Sequence, residues 1–255
     1  MKTYIARRLL ALIPVALVVA TVAFVLIHLA PGDPASIIAG PDATPEDVRR
    51  LEQQLGLDRP LPIQLVQWYG HLLQGDLGRS IFLRKPVTEA ILDRVEPTLL
   101  LTVFAIVIAV VIGVPAGVIS ARYHNSAGDQ ALMGLALVGI SIPNFLAGLL
   151  LILAFSVWLG WFPVAGYSPL ESGWPATLRS LVLPAFALGL VQSALIARIA
   201  RSSMLDVLRE QFIVAGRAKG LGERAVVYKH ALKNALIPTV TVIGISFAVL
   251  VSGAV

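Results

Sequence analysis

The sequence predicts an all-α polytopic membrane protein, and three observations carry that expectation. Of its 255 residues 57% are hydrophobic and only 14% charged, with a mean hydropathy of +0.82, a more apolar balance than soluble domains show. The apolar residues gather in five runs almost free of charge, each about the 20 residues that a helix needs to cross a roughly 30 Å hydrocarbon core. Lys and Arg, finally, collect in the short segments on one side of these runs, as topology in a bilayer requires.

The first run covers 9–29, after a basic start, 1–8, containing Lys2, Arg7 and Arg8. It is longer than the apolar part of a cleaved signal peptide and reads as an uncleaved anchor. An outer segment, 30–97, follows, with ten acids and seven basic residues. Its opening "APGDPA" holds two prolines that end the first span and impose an extended or turning path. In "DATPEDVRRLEQQLGL", Thr44 is an N-cap, Pro45 the first helical residue, Glu46 and Asp47 the acidic first turn and Gly56 the stop. Ile63, Val66, Trp68, Tyr69, Leu72 and Leu73 then make an aromatic amphipathic stretch suited to a membrane interface or to capping a bundle.

The remaining spans are 98–119, 131–160, 181–197 and 236–255. The third is long and holds Pro143, Asn144 and Gly148, which lets it tilt or kink. Loop 120–130 carries Arg122, and the connection 198–235 carries eight basic residues: Arg198, Arg201, Arg209, Arg217, Lys219, Arg224, Lys229 and Lys233. On the other side, 161–180 carries only Arg179. That asymmetry places the N-terminus, 120–130 and 198–235 inside, and 30–97 and 161–180 outside. The last run stops at "VSGAV" without a polar flank, which reads as a piece of a longer chain.

Several function classes fall away. There is no cysteine, hence no disulfide, no cysteine-held zinc or iron–sulfur cluster and no thiol nucleophile. The net charge of +5 has no aromatic platform or motif beside it that would take nucleic acid. Apart from His28 at the outer end of the first, the spans hold no ionisable residue, whereas an ion-coupled secondary transporter needs a relay at membrane depth. Asn144 and Gln192 are the strongly polar side chains well inside a span and read as interhelical hydrogen-bond partners. Neither a nucleophile with its base nor a phosphate-cradling GxxxxGK[ST] stretch occurs.

What needs explaining is "FIVAGRAKGLGERAVVYKHALKNALIP", 212–238, a basic stretch between two apolar runs. Leu205, Leu208, Phe212 and Ala215 recur at helical spacing, so one helix is expected from Met204 to a stop at Gly220, with Lys219 at the negative end of its dipole. A second helix is expected from Gly222 and Glu223, bearing Val227, Ala231, Leu232 and Ala235, with Pro238 at re-entry into the membrane. Lys and Arg alone suit a linker lying on anionic membrane lipid. The small residues Ala215, Gly216, Ala218 and Gly220 suit a docking element that lets a soluble partner approach the backbone. Charge by itself does not separate the two.

"VAGRAKGL" followed by "HALKNALIP" resembles the cytoplasmic EAA loop of ATP-binding-cassette importer permeases, specifically the first-permease type of the dipeptide and oligopeptide (peptide, nickel, opine) family. "YIARRLLALIPVALVVATVAFVLIHLAPGDPA", "GLDRPLPIQLVQWYGHLLQGDLGRS" and "GISIPNFLAGLLLILAFSVWLGWFPVAGY" are similar to that family's first span and exit, outer segment, and third span. The loop pattern's Glu-Ala-Ala positions are Val214, Ala215 and Gly216 here, so the middle one fits literally. The resemblance implies a type I importer transmembrane domain with a sixth span beyond the five seen here. It implies a second homologous permease subunit, two cytoplasmic ATPase subunits that bind ATP and Mg, and an extracytoplasmic solute-binding protein, all at a bacterial or archaeal cytoplasmic membrane. The chain itself would hold no cofactor and be no enzyme. Ala215, Gly216, Arg217, Lys219, Gly220 and Leu221 are the residues expected to couple to the ATPases, with Arg217 and Lys219 supplying charge complementarity. An ion-coupled transporter and a non-transporting membrane scaffold are the alternative readings.

Overall fold

The computed structural model describes residues 2–29, 32–40, 43–80 and 83–253, and their regular structure is helical apart from one isolated bridge between Arg79 and Pro86. Ala30 and Pro31 of the first exit, and Ala254 and Val255 of the last run, lie outside the described residues. The chain forms two compact units, Met1–Asp93 and Arg94–Val255.

In the first unit, α1 (Lys2–Leu29) is apolar around its whole circumference, and Leu9, Leu10, Val18 and Val19 are exposed. Such a helix is stable in lipid, where its backbone groups are satisfied internally. Asp33 caps α2 (Pro34–Ala39), its carboxylate accepting from the Ala35 and Ser36 amides at 3.0 and 2.9 Å. Of the extended or turning path expected there, the described residues show the turn: Gly32 is a bend and the chain is a short helix from Pro34 on, because Pro34 sits at the first helical position, where a missing N–H costs nothing. In α3 (Pro45–Leu55) the Thr44 and Asp47 side chains form a reciprocal capping box and Gly56 closes the helix in the left-handed region. The aromatic stretch is α4 (Leu61–Leu73), and it packs on α1. Tyr69 Oη donates to Leu17 O at 2.9 Å, His28 Nε2 lies 3.0 Å from Gln64 Oε1, and the Trp68 and Phe24 rings are 5.8 Å apart.

The second unit is a helix bundle: α5 (Val87–Arg122, in this unit from Arg94 on), α6 (Ala127–Ser141), α7 (Asn144–Leu151, continued by the π-helical Ile152–Trp158), α8 (Trp174–Leu208), α9 (Gln211–Ala218) and α10 (Leu232–Gly253, preceded by the π-helical Ala225–Ala231). Four helices among the described residues are long and apolar enough to cross a membrane, and five if the bent pair α6–α7 is one span. Pro97, Pro115, Pro184 and Pro238 lie inside α5, α8 and α10 without ending them, which neighbouring helices make tolerable in a membrane.

The most buried helix of this bundle is α8, with α5, α6, α7 and α10 around it. It runs parallel to α5: Leu170, just before α8, donates its N–H to Glu96 Oε1 at one end, and Arg201 lies next to Asp129 and Ser120 at the other. Between Arg179 and Arg201 the helix rises about 33 Å, close to one hydrocarbon thickness. The contact is made by small residues. A Cβ on Gly113 would lie 2.6 Å from Ser193 O, and one on Gly117 would lie 2.5 Å from Ala197 O, so the α5 backbone touches α8 directly in the way a glycine pair four apart permits.

The 131–160 stretch is not one continuous helix. It breaks at Ile142–Pro143, and its two halves meet at 99°. Pro143 lacks the N–H that would continue the ladder and pushes Ile142 into the extended region, ψ 121°. The broken pair still links the two ends of the bundle. Asp129 at its start is bound to Arg201, while Trp161 just past its end accepts from Arg179 Nη2 at 2.7 Å.

Candidate functional site

The end of the bundle that holds Arg201, referred to below as its base, is closed by an apolar core of Val118, Ala121, Met204, Ile213, Val226, Val227, Ala231 and Ala235. Four chain segments meet there: the last turns of α5 and α8, the short α9 and the start of the helix that leads into α10. Their packing corrects the single helix expected from Met204 to Gly220. Helix α8 ends at Leu208, Glu210 is extended (ψ 147°), and α9 begins at Gln211. The break lets Ile213 turn back into the core, where it is 1% exposed, while Phe212, expected on the apolar stripe, is 47% exposed. A straight continuation of α8 could not return Ile213 to Met204 and Val226. The second expected helix does begin at Glu223, but it is not separate from the last span: the chain is helical from there through Pro238 to Gly253, and Val226, Val227, Ala231 and Ala235 are buried at the base.

Between these anchors α9 and its exit stand in the open. Ala215, Arg217, Lys219, Gly220 and Leu221 are exposed, and Gly216 is half-buried. The helix ends in a complete Schellman motif: Gly220 N–H donates to Arg217 O at 2.9 Å and Leu221 N–H to Gly216 O at 3.2 Å. Gly220 has φ +81°, a conformation that residues with a Cβ enter at a cost, and the space around it is open. Gly216 is small for a different reason, since Leu221 Cδ1 sits 3.3 Å from where its Cβ would be. Arg217 is engaged within the chain, its Nε and Nη2 donating to the two Glu223 oxygens at 2.7 and 3.2 Å. That hydrogen bond holds the Glu223 carboxyl below its ordinary value. Lys219 makes no such pair among the described residues and keeps its charge facing outward.

Of the two polar residues expected to join helices, Gln192 accepts from Ser246 Oγ at 3.2 Å and ties α8 to α10. Asn144 is exposed at the start of α7, beside Pro143, and its side chain makes no hydrogen bond among the described residues.

The base also holds an ion pair that hydropathy did not single out. Asp129, 3% exposed, accepts from Arg201 Nε and Nη2, both at 2.7 Å, from the Asn125 amide at 2.9 Å, and from Ser120 Oγ. Arg201 Nη2 also donates to His124 Nδ1 at 3.0 Å. A legible signal did exist: Ser126-x-x-Asp129 directly before an apolar run is a capping-box pattern, and Ser126 does cap α6, accepting from the Asp129 amide at 3.2 Å. At the opposite end of the bundle a cavity of about 280 Å³ opens between Thr98, Tyr167, Ser180 and Pro184, but Tyr167 and Ser180 already donate to Glu96 and Thr177 O.

The chain is also similar in sequence to known proteins. Residues 113–255 match the family described as "Binding-protein-dependent transport system inner membrane component", and residues 1–102 match its N-terminal companion, "Binding-prot-dependent transport system membrane comp, N-term". The chain is 45% identical over 258 residues to a putative peptide transport system permease protein of Brucella suis biovar 1 (strain 1330). It is 44% identical over 255 residues to a glutathione transport system permease protein of Salmonella choleraesuis (strain SC-B67). Each alignment covers 100% of this chain and 81% of the relative.

Proposed function

The chain belongs to the family of binding-protein-dependent transport system inner membrane components, and from that premise we propose that its exposed segment 211–221 is the surface through which a nucleotide-hydrolysing partner drives transport. Membership makes it a permease subunit of an ATP-binding-cassette importer, an inner-membrane protein with a type I transmembrane fold that works alongside other subunits of its system. In our reading those subunits are a second homologous permease, two ATPases that bind ATP and Mg, and an extracytoplasmic solute-binding protein. The N-terminus and the base face the cytoplasm, as the excess of Lys and Arg in their segments supports. The solute is a short peptide or a peptide-like molecule, as the names of the two relatives, a peptide and a glutathione permease, support.

One observation carries the coupling role. Segment 211–221 is an exposed helix and turn held by residues of a buried core, Met204 before it, Ile213 within its first turn and Val226 and Val227 after it. A surface anchored in this way passes force into α5, α8 and α10 instead of flexing alone. Ala215 and Gly216 keep its face low, Lys219 gives it charge, and Gly220 and Leu221 fix the turn. The Arg217 fork is bound to Glu223 and serves to hold the turn as well as to meet the partner. ATP-dependent closure of the partners then biases the bundle between inward- and outward-open states, a population shift paid by differential binding.

Placing a single cysteine at Ala215 tests this, since the 255 residues contain none. In the assembled complex it is expected to cross-link to the ATP-hydrolysing subunit, and the yield is expected to change with nucleotide. Efficient cross-linking of a control cysteine at exposed Tyr123, in the turn that follows α5 at the base, but none at Ala215 would refute the assignment.

A further inference from the structure

Asp129 lies in the first turn of α6, and Arg201 lies two turns before α8 ends and the exposed segment begins. The pair thus joins the helix nearest that segment to the first half of the broken span. Four donors converge on one carboxylate that is 3% exposed, so α6 cannot slide past α8 at the base without leaving a buried charge unpaired, which is strongly destabilising. Higher up the contact is looser: a Cβ on Gly139 would be 3.6 Å from that of Ala194, an ordinary packing distance. Beyond it comes the break at Ile142–Pro143, where the α-helical ladder is interrupted and Asn144 is exposed.

We propose that the Asp129–Arg201 ion pair is a clamp that makes α6 follow α8, so that movement imposed at 211–221 reaches the broken span and is taken up at Ile142–Pro143. Asp129 and Arg201 are positioning residues here: they touch neither solute nor nucleotide. The rigid body is then α5, α6 and α8, with α5 and α8 locked backbone to backbone at Gly113 and Gly117 and α6 locked by the ion pair. The hinge is the junction between α6 and α7. The clamp rests on the reading of 211–221 as the gripped surface, but the two fail in different experiments.

The informative variant is the neutral double substitution Asp129→Asn with Arg201→Gln, because removing both charges avoids the penalty of stranding one. In the reconstituted complex, spin labels at exposed Leu135 of α6 and Arg198 of α8 report the clamp, and labels at Leu135 and Leu149 of α7 report the hinge. Without the double substitution, adding nucleotide is expected to leave the first distance unchanged and alter the second. In the double variant the first distance is expected to change with nucleotide, with transport falling about tenfold, a loss in the range of coupling energies between sites. The single variant Asp129→Glu, which keeps the charge, is expected to restore the fixed Leu135–Arg198 distance. The clamp is overturned if that distance stays fixed in the double variant, or if it already changes in the unsubstituted complex. Failure of the Ala215 cross-link would instead remove the gripped surface and leave these distances to be judged separately.

Discussion

Leu221 folds its side chain over Gly216, with Cδ1 3.3 Å from where a Cβ on that glycine would stand, and its amide donates to the same residue's carbonyl. This pair closes α9 and sets the direction in which the chain leaves toward Glu223. The small residues of the segment therefore do two things, offering a low surface and forming the helix stop.

Gly220 separates those roles. Its φ of +81° is strained for any residue with a Cβ, and nothing stands within 4 Å of the added atom. Gly220→Ala is expected to cost about 1–2 kcal/mol and to lower solute-stimulated ATP hydrolysis without blocking membrane insertion. Gly220→Asn is expected to retain more activity, since Asn enters the left-handed region more readily. The comparison is made by hydrolysis and transport assays on the reconstituted complex.

Ile213 and Phe212 are adjacent but differ in burial. Ile213→Ala empties a site in the base core and is expected to destabilise by about 2–5 kcal/mol, whereas Phe212→Ala removes an exposed ring and is expected to leave unfolding of the purified protein nearly unchanged. Thermal unfolding in detergent distinguishes them.

Much of this layout was legible in the sequence and some was not. Length and charge marked the apolar runs, and Thr44, Pro45, Asp47 and Gly56 marked α3, because caps are local chemistry. Gly220 was legible as a helix stop for the same reason. The break at Arg209–Glu210 was not. Periodicity through Leu205, Leu208, Phe212 and Ala215 is continuous, and only the long-range packing of Ile213 on Met204 and Val226 decides against one helix. Nor could hydropathy pair Asp129 with Arg201, which are 72 positions apart.

The Arg217–Glu223 pair gives the segment a pH dependence of known sign. Glu223 has a folded pKa below its ordinary value because Arg217 donates to it, so its stabilising contribution is complete above the unfolded pKa and is lost as pH falls through the lowered folded value. Amide exchange at 216–223, corrected for intrinsic rates, is expected to show protection that weakens below about pH 4.5. In Glu223→Gln that pH-dependent change is expected to be absent.

Close approach of α5 and α8 makes Gly117 intolerant of any side chain. Gly117→Ala would set a methyl 2.5 Å from Ala197 O and 2.7 Å from Ala200 Cβ, and the expected cost is about 1–3 kcal/mol from overpacking. Gly134→Ala, with open space around it, is expected to be tolerated. The yield of monodisperse complex after purification is the measure.

The central claim is that 211–221 faces the compartment where ATP is hydrolysed. A single cysteine at exposed Lys219, treated in intact cells and in inverted membrane vesicles with a maleimide that does not cross the bilayer, tests it most directly. Labelling is expected in inverted vesicles and none in intact cells. Labelling of intact cells would contradict a cytoplasmic 211–221.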